Sequence, residues 1–271
     1  MNLETYNPFS DRIIVYHSSN DILNQIDGMV STFLLALLNQ YQFKIGNLSN
    51  TLLHEVFTSP VSWWGDEWFQ TRHKRGIWNL RYTTTEDEFV LSNILLYKKR
   101  PYSQVVHVYC EDNLVPLIMK NSMYKEFIEK YEVGKEGNVY KEVVKNLFYS
   151  FEGDWQENFE HLKSTFFAEE NRMVVRILSK TKLKELSSII DDKKPKQVLV
   201  STKDLVLLQT LKDTHPDVKF LHIVDIKNEE YNPVTLSTIK LFYELFLFID
   251  TEIKFLDDDD KFSDIVKNCV D

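Results

Sequence analysis

The amino-acid sequence predicts an α/β protein with two Rossmann-like lobes that face a cleft. Short β-branched runs, such as RIIVYH at residues 12–17, are typical of buried strands. Longer stretches with apolar residues at helical spacing follow these runs, as between residues 20 and 40. Strands that alternate with helices of roughly 10–15 residues indicate βαβ units, so a parallel sheet is expected in each half of the chain.

The alternation is most regular in the second half of the chain. A boundary near Asn171 therefore separates a predicted N-terminal lobe, residues 1–170, from a C-terminal lobe, residues 171–271. Ligands of open parallel sheets bind outside the carboxyl ends of the strands, so the loops there are the candidate binding loops. The strands of the C-terminal lobe are expected at residues 173–178, 197–201, 218–224 and 252–256, with helices at 182–190, 204–214, 234–249 and 261–268.

Composition excludes two familiar kinds of ligand site. Glycine accounts for only 7 of 271 residues, and neither GxGxxG nor GxxxxGK[ST] occurs. A standard dinucleotide fingerprint and a P-loop are therefore excluded. The chain has 32 Lys and Arg against 41 Asp and Glu, a formal net charge of −9. This balance argues against a nucleic-acid partner, which requires basic patches.

Cysteine usage and the apolar stretches predict a soluble protein of the cytoplasm. Cys110 and Cys269 lie far apart and offer no disulfide or metal-binding framework, which fits a reducing compartment. The longest apolar stretches, residues 29–38 and 241–249, are shorter than the roughly 20 residues that cross a bilayer. No transmembrane segment or signal peptide is therefore expected.

The stretch HSSNDILNQIDGMVSTFLLALLNQYQFKI, at residues 17–45, resembles the opening motif of the fucosyltransferase-like glycosyltransferases. In that family (nodulation, core α1,6-, protein O- and xyloglucan fucosyltransferases), a strand leads through a G-x-G-N-R-x-x-G loop into an apolar helix. Asn24 and Gly28 match the motif, Gln25 replaces its arginine, and Asp21 and Leu23 stand where glycines are usual. Weaker matches follow in the same order at FTSPVSWW (57–64), VVHVYCEDN (105–113), NLFYSF (146–151), MVVRILSK (173–180), VLVSTKD (198–204) and DDDDKFSDIV (257–266).

The resemblance implies the two-lobed GT-B fold and a transfer reaction. A sugar would move from a nucleotide-diphosphate donor, bound by the C-terminal lobe, to a glycan acceptor on the N-terminal lobe, with inversion. Fucose from GDP-fucose is the first expectation, and no metal or cofactor beyond the nucleotide-sugar donor is expected. Because the chain is compact and shows no anchor, it looks like a bacterial or viral cytoplasmic form rather than a secretory-pathway enzyme.

Two departures from the family pattern leave the donor open. The second lobe of the family begins with H-x-R, but this sequence has Arg176 at the His position and Leu178 at the Arg position. An acidic run, residues 257–260, stands where the family has a serine-rich turn, and carboxylates repel a diphosphate. A UDP-linked sugar such as xylose is therefore an alternative donor. A non-catalytic carbohydrate- or nucleotide-binding relative and an unrelated α/β enzyme are the alternative functions.

Asp21 is the candidate catalytic base of the N-terminal lobe. An inverting transfer requires a group that takes the proton of the acceptor hydroxyl. The protein O-fucosyltransferase branch has an acidic residue at this offset in the same loop, and the resemblance gives Asp21 that role. The alternative is an N-cap of the following helix, a position that Asp favours. Asn24 is expected to hydrogen-bond the donor or to solvate the helix terminus.

Candidate donor-binding residues follow the strands of the C-terminal lobe. A guanidinium binds phosphate bidentately, so Arg176 is the first candidate, unless it pairs with a carboxylate instead. Hydroxyls and backbone N–H groups at the start of a helix can hold ribose or phosphate, although the same residue types also cap helices. The remaining candidates in this lobe are Lys180, Ser201, Thr202, Asp204, Phe262 and Ser263.

The tryptophan-rich segment WWGDEW, residues 63–68, is the candidate acceptor site. Indole rings can stack on the CH groups of a sugar while carboxylates bind its hydroxyls. Trp64, Asp66 and Glu67, with His73 from the basic cluster that follows, are the predicted acceptor-binding residues. The alternative is an aromatic core beneath a long loop, the more frequent use of tryptophan.

Overall fold

The computed structural model describes residues 1, 3, 12–18, 21–48, 53–58, 77–81, 105–135, 137–148, 150–223, 233–257 and 260–270. The chain forms two compact units, an N-terminal unit of Met1–Ser150 and a C-terminal unit of Phe151–Val270. Each unit contains a four-stranded parallel sheet with helices between its strands, so the predicted α/β class is confirmed.

The strands of the N-terminal unit are β1 (Ile13–Ser18), β2 (Gln42–Leu48), β3 (Phe57–Thr58), β4 (Ile77–Arg81) and β5 (Val105–Tyr109). Its helices are α1 (Ile22–Asn39), α2 (Leu53–Val56), α3 (Val115–Lys120), α4 (Lys125–Lys130) and α5 (Val139–Leu147), with a 3-10 turn at Ser122–Tyr124. The sheet order is β2-β1-β5-β4, and all three pairings are parallel. The strand order therefore reverses between β1 and β5, where doubly wound sheets bind ligands.

Helix α1 is the central core helix of the N-terminal unit. It begins at the N-cap Asp21 and ends at Gln40, whose positive φ of 59° closes the helix in the left-handed region. Every residue from Gln25 to Asn39 is buried. The helix is long and apolar enough to cross a membrane by length and composition, yet 83% of it is buried inside the protein. That burial on all sides is typical of a core helix.

The C-terminal unit begins with β6 (Ser150–Phe151), which straddles the division, and continues with β7 (Arg172–Arg176), β8 (Gln197–Ser201), β9 (Lys219–Leu221) and β10 (Ile253–Phe255). Its helices are α6 (Asp154–Phe167), α7 (Leu183–Lys193), α8 (Leu205–Thr214), α9 (Pro233–Asp250) and α10 (Lys261–Asn268), with a 3-10 turn at Lys180–Lys182. The sheet order is β10-β7-β8-β9, again all parallel. Here the order reverses between β7 and β10.

The two units divide after residue 150, which is 20 residues before the predicted division into lobes of 1–170 and 171–271. Helix α6 belongs to the C-terminal unit because its aromatic side chains pack within that unit. Tyr243 on α9 lies 4.7 Å from Phe151 and 5.0 Å from Phe159, measured between ring centroids. The Tyr243 hydroxyl also donates a hydrogen bond to the carbonyl oxygen of Trp155. These contacts are long-range, which the local sequence pattern does not reveal.

Candidate functional site

The carboxyl edge of the C-terminal sheet carries a cluster of charged and polar side chains. Arg176 ends β7, Ser201 ends β8, and Asp260 lies directly before α10, which follows β10. Glu244 reaches the same place from the middle of α9. We call Arg176, Ser201, Glu244 and Asp260 the edge cluster. It lies where the strand order reverses, at β7 and β10, the position at which open α/β sheets bind ligands.

Arg176 is the centre of the edge cluster. Its Nε donates to Asp260 Oδ2 at 2.8 Å and its Nη1 donates to Ser201 Oγ at 2.6 Å. The guanidinium carbon lies 4.8 Å from the centroid of the Phe262 ring, a cation–π contact. Arg176 was expected to bind phosphate unless it paired with a carboxylate. In the structure Arg176 is paired with Asp260, so its guanidinium already has an anionic partner within the protein.

Glu244 is the second carboxylate beside Arg176. Its Oε2 accepts a hydrogen bond of 2.6 Å from Ser201 Oγ and lies 3.9 Å from Arg176 Nη1. Burial raises the pKa of this carboxyl, and the nearby Asp260 adds to the increase, while Ser201 and Arg176 act in the opposite direction. Ser201 is therefore held between a guanidinium and a carboxylate and is 1% exposed.

Asp260 uses its two carboxylate oxygens for two different tasks. Oδ2 receives the Arg176 hydrogen bond, and Oδ1 accepts from the backbone N–H of Ser263 at 2.8 Å, which caps α10. Phe262 and Ser263, two predicted donor-binding residues, are both fully buried. The Ser263 hydroxyl has no hydrogen-bond partner in the described part of the chain. One carboxylate thus bridges a cation and a helix N-terminus.

Asp257, the first residue of the acidic run 257–260, is buried and not solvated. Asp257 is 3% exposed, and its Oδ2 accepts a hydrogen bond of 3.0 Å from the backbone N–H of Leu178. Its own N–H donates to the carbonyl oxygen of Arg176 at 3.0 Å. Asp257 therefore joins the loop after β7 to the loop after β10. Asp258 and Asp259 lie outside the described residues.

The other predicted donor-binding residues lie near this edge but have local tasks. Asp204 caps α8 by accepting from the N–H groups of Val206 and Leu207, and Thr202 Oγ1 accepts from Asp204 N at 3.1 Å. Lys180 is exposed in the 3-10 turn after β7. The capping alternative that the sequence left open is therefore realised by Asp204, and Thr202 hydrogen-bonds the backbone of that capping residue.

In the N-terminal unit, Asp21 is the N-cap of α1. Its Oδ1 accepts from the backbone N–H of Asn24 and its Oδ2 from the Asn24 side-chain amide, both at 3.1 Å. The carboxylate is exposed, and an ionised carboxylate has about four acceptor sites, so capping leaves some of them available. The cap geometry is therefore compatible with the base role and does not test it.

Two aromatic side chains that are not among the predicted site residues lie where the strand order of the N-terminal sheet reverses. The rings of His17, at the end of β1, and Tyr109, at the end of β5, stack with centroids 4.9 Å apart and planes at 17°. Gly46 on β2 provides space for the imidazole, because a Cβ there would lie 2.3 Å from His17 Cε1. Parallel pairing of β1 with β5 brings this pair together.

Glu244 and Asp260 were not among the predicted site residues. Glu244 is the lone charged residue of the apolar stretch 241–249, and a charge within such a run usually has a buried partner. Asp260 precedes Ser263 by three residues, which is the spacing of an N-cap. Both signals were present, but neither indicates that the two carboxylates meet at Arg176.

The predicted acceptor-binding residues Trp64, Asp66, Glu67 and His73 lie outside the described residues. Within the described ranges, no group of three or more His, Cys, Asp or Glu side chains is arranged to hold a metal ion. The candidate functional residues therefore form two groups, each described within its own unit: the edge cluster in the C-terminal unit, and Asp21 with Asn24 in the N-terminal unit.

Comparison with known proteins shows similarity in fold. No protein-family model matches the chain, and no curated protein matches its sequence. Among solved structures, FUT1 of Arabidopsis thaliana, a mutant in complex with GDP, matches with a TM-score of 0.68 and 12% identity over 95% of this chain and 68% of that one. NodZ, an α-1,6-fucosyltransferase soaked with GDP-fucose, gives 0.59 and 10% over 96% and 93%.

A structure of NodZ from Bradyrhizobium has the same TM-score of 0.59, at 8% identity over 95% of this chain and 92% of that one. POFUT1 in complex with GDP-fucose matches with a TM-score of 0.52 and 12% identity, over 98% of this chain and 95% of that one. The matches extend over nearly the whole of this chain, whereas the identities are low. The chain therefore has the GT-B fold of these fucosyltransferases.

Proposed function

We propose that this chain is a glycosyltransferase that moves a sugar from a nucleoside-diphosphate donor to a glycan acceptor, with inversion at the sugar carbon. The observation that carries the proposal is the match of nearly the whole chain to three fucosyltransferases, two of them in complex with GDP or GDP-fucose and one soaked with GDP-fucose. Fucose from GDP-fucose is the first donor, and a UDP-linked sugar such as xylose is the second.

The residues have the following roles in this proposal. Asp21 takes the proton of the acceptor hydroxyl, since its exposed carboxylate lies at the carboxyl end of a parallel strand. The donor binds along the carboxyl edge of the C-terminal sheet. There the N-terminus of α8 and the exposed Lys180 attract negative charge, and Thr202 supplies a hydroxyl.

Departure of the nucleoside diphosphate requires stabilisation of its developing negative charge. The N-terminus of α8 and the Lys180 ammonium supply that stabilisation in this proposal, because Arg176 is engaged by Asp260 and Ser201. We further propose that the reaction needs no metal or cofactor beyond the donor, and that the protein acts in the cytoplasm on a glycan acceptor.

The experiment is a donor panel with two readouts. The purified protein is incubated with GDP-fucose, UDP-xylose or UDP-glucose and an array of glycan acceptors, and both nucleoside diphosphate release and glycan mass are measured. We expect acceptor-dependent release with one donor, and a glycan that gains the mass of one transferred sugar. Absence of turnover with every donor, from protein whose circular dichroism shows the folded state, would contradict the proposal.

A second function, a non-catalytic relative that binds carbohydrate or nucleotide, is favoured by one observation. The guanidinium of Arg176 is occupied by Asp260, so a cation that the C-terminal unit could offer a diphosphate is already neutralised. Thermal unfolding with GDP, UDP and free glycans separates the two functions. A glycan-dependent increase in the melting temperature without turnover of any donor would support the second function.

A further inference from the structure

The contact between Arg176 and Asp260 resembles the binding of an external anion. An anion at the carboxyl edge of an α/β sheet is usually held by a guanidinium and by the N–H groups of a helix N-terminus. In this chain the Asp260 carboxylate has both partners, at 2.8 Å from Arg176 Nε and 2.8 Å from Ser263 N. It lies beside β7 and β10, where the strand order reverses.

Two donor groups beside Asp260, Arg176 Nη2 and Ser263 Oγ, donate no hydrogen bond to the described residues. Arg176 donates through Nε and Nη1, and its Nη2 has no hydrogen-bond partner among the described residues. The hydroxyl of Ser263 is fully buried in the first turn of α10 and has no partner in the same residues. An anion larger than a carboxylate, with more oxygens, would have donors here that Asp260 leaves unused.

The charge of the cluster opposes such an anion while Asp260 is in place. Glu244 Oε2 lies 3.9 Å from Arg176 Nη1, so two carboxylates surround one guanidinium. All three side chains are nearly buried, with exposures of 12–14%, so solvent screens their interactions only weakly. With both carboxylates ionised these three side chains carry a net charge of −1, so removal of one carboxylate brings their net charge to zero.

We propose that Asp260 is a specificity-determining residue, because its carboxylate occupies the anion position of the C-terminal unit and weakens the binding of a diphosphate there. A donor's diphosphate takes this position only when the carboxylate has moved away from Arg176. The inference rests on the proposed function where it names the donor, since that ligand is a nucleoside diphosphate. The anion position itself is defined by this chain's own contacts.

The test uses Asp260→Asn, which keeps the shape of the side chain and remains a good N-cap. Calorimetric binding of inorganic pyrophosphate and of GDP is compared with the wild-type protein. We expect Asp260→Asn to bind both ligands at least tenfold more tightly. Asp264→Asn, which removes an exposed carboxylate from the same helix, is the matched control and is expected to stay within twofold of wild type.

Two more variants keep the result interpretable. Asp260→Ser retains a capping oxygen and is expected to show the same gain if Asp260→Asn folds poorly. Adding Arg176→Gln to Asp260→Asn should abolish the gain, because the guanidinium is then absent. Pyrophosphate affinity of Asp260→Asn and Asp260→Ser that equals or falls below the wild-type value, in folded protein, overturns the inference.

Failure of the inference and failure of the proposed function give different results. Pyrophosphate carries neither sugar nor base, so its binding does not depend on glycosyl transfer. Tighter pyrophosphate binding by Asp260→Asn, with no turnover of any sugar donor, would support the anion position and contradict the transferase. Donor turnover by the wild-type protein, without tighter pyrophosphate binding by Asp260→Asn, would support the transferase and contradict the anion position.

Discussion

Arg176 and Asp260 form an ion pair with an N–O distance of 2.8 Å, although 84 residues separate them in the chain. The pair joins the end of β7 to the first turn of α10, and Ser201 and Glu244 extend it to β8 and α9. Four elements of the C-terminal unit therefore depend on one guanidinium. Because a buried charge without its partner is strongly unfavourable, loss of the guanidinium alone is expected to destabilise the C-terminal unit.

The pH dependence of stability should report the ionisation of Glu244. Burial raises its pKa above the ordinary 4.5, so the folded state binds this proton more tightly than the unfolded state. The contribution of the Glu244 carboxyl to the free energy of unfolding is therefore fully present below pH 4.5, and it is lost as pH rises through the folded-state pKa. We expect the stability of wild type relative to Glu244→Gln to decline over that range.

Urea unfolding of wild type and Glu244→Gln at a series of pH values from 4 upward, in steps of roughly half a unit, measures this difference. Glu252→Gln, which removes an exposed carboxylate from the same unit, is the matched control. A stability difference that grows in favour of wild type with rising pH would contradict the assignment.

Gly28→Ala should destabilise the N-terminal unit. A Cβ at this position would lie 1.8 Å from the carbonyl oxygen of Cys110 and 2.7 Å from the Tyr16 ring, so the backbone itself must shift. Overpacking of this kind costs about 1–3 kcal/mol and sometimes more. In an open helix interior the same change stabilises by about 0.5–1 kcal/mol, so even the sign is informative. Chemical denaturation measures it, and an unchanged or higher stability would refute the close approach.

Gly46→Ala should destabilise the protein through His17. The added Cβ would lie 2.3–3.0 Å from three atoms of the imidazole, which must leave its stack on Tyr109. We expect a loss of about 1–3 kcal/mol. His17→Ala removes the obstructing ring, so the double variant should lose less than the sum of the single losses. Additive losses in this double-mutant cycle, measured by urea unfolding, would show that the two positions are not coupled.

Asp21→Asn should separate capping from catalysis. Asn is as good an N-cap as Asp, so the free energy of unfolding should change by only a few tenths of a kcal/mol. An amide cannot take a proton from the acceptor, so turnover should fall by about 10²–10⁴-fold. Donor affinity, measured by calorimetry, should stay within about threefold of wild type, because Asp21 acts on the proton of the acceptor hydroxyl and not on the donor. Turnover close to the wild-type rate would mean that Asp21 is a cap alone.

Chelation should leave the transfer reaction unchanged. The proposed chemistry uses a carboxylate base together with the N-terminus of α8 and Lys180, and none of these requires a divalent cation. Turnover in excess EDTA is therefore expected to match turnover without it. Inhibition by EDTA that added Mg²⁺ or Mn²⁺ reverses would show that a metal ion takes part.

Local patterns account for most of the secondary structure of the C-terminal unit. The β-branched strands β7 and β8 and the capped helices α8 and α10 all lie close to their predicted positions, because their signals come from neighbouring residues. In the N-terminal unit, residues 115–130 are divided into α3, a 3-10 turn and α4. There Asn121 has an extended conformation, with ψ at 111°, and its side chain caps the turn that follows.

The sequence by itself determined the α/β class and the edge of the C-terminal sheet at which polar residues gather, and it left capping at Asp21 and Asp204 as an alternative to a binding or catalytic role. Only the tertiary structure decided which of those residues meet. Arg176 was expected to face a phosphate, but folding brings Asp260 and Glu244 to it from two distant helices. Hydrophobic periodicity and caps arise within a few residues, whereas the partner of a buried charge is set by strand order and helix packing across the whole unit.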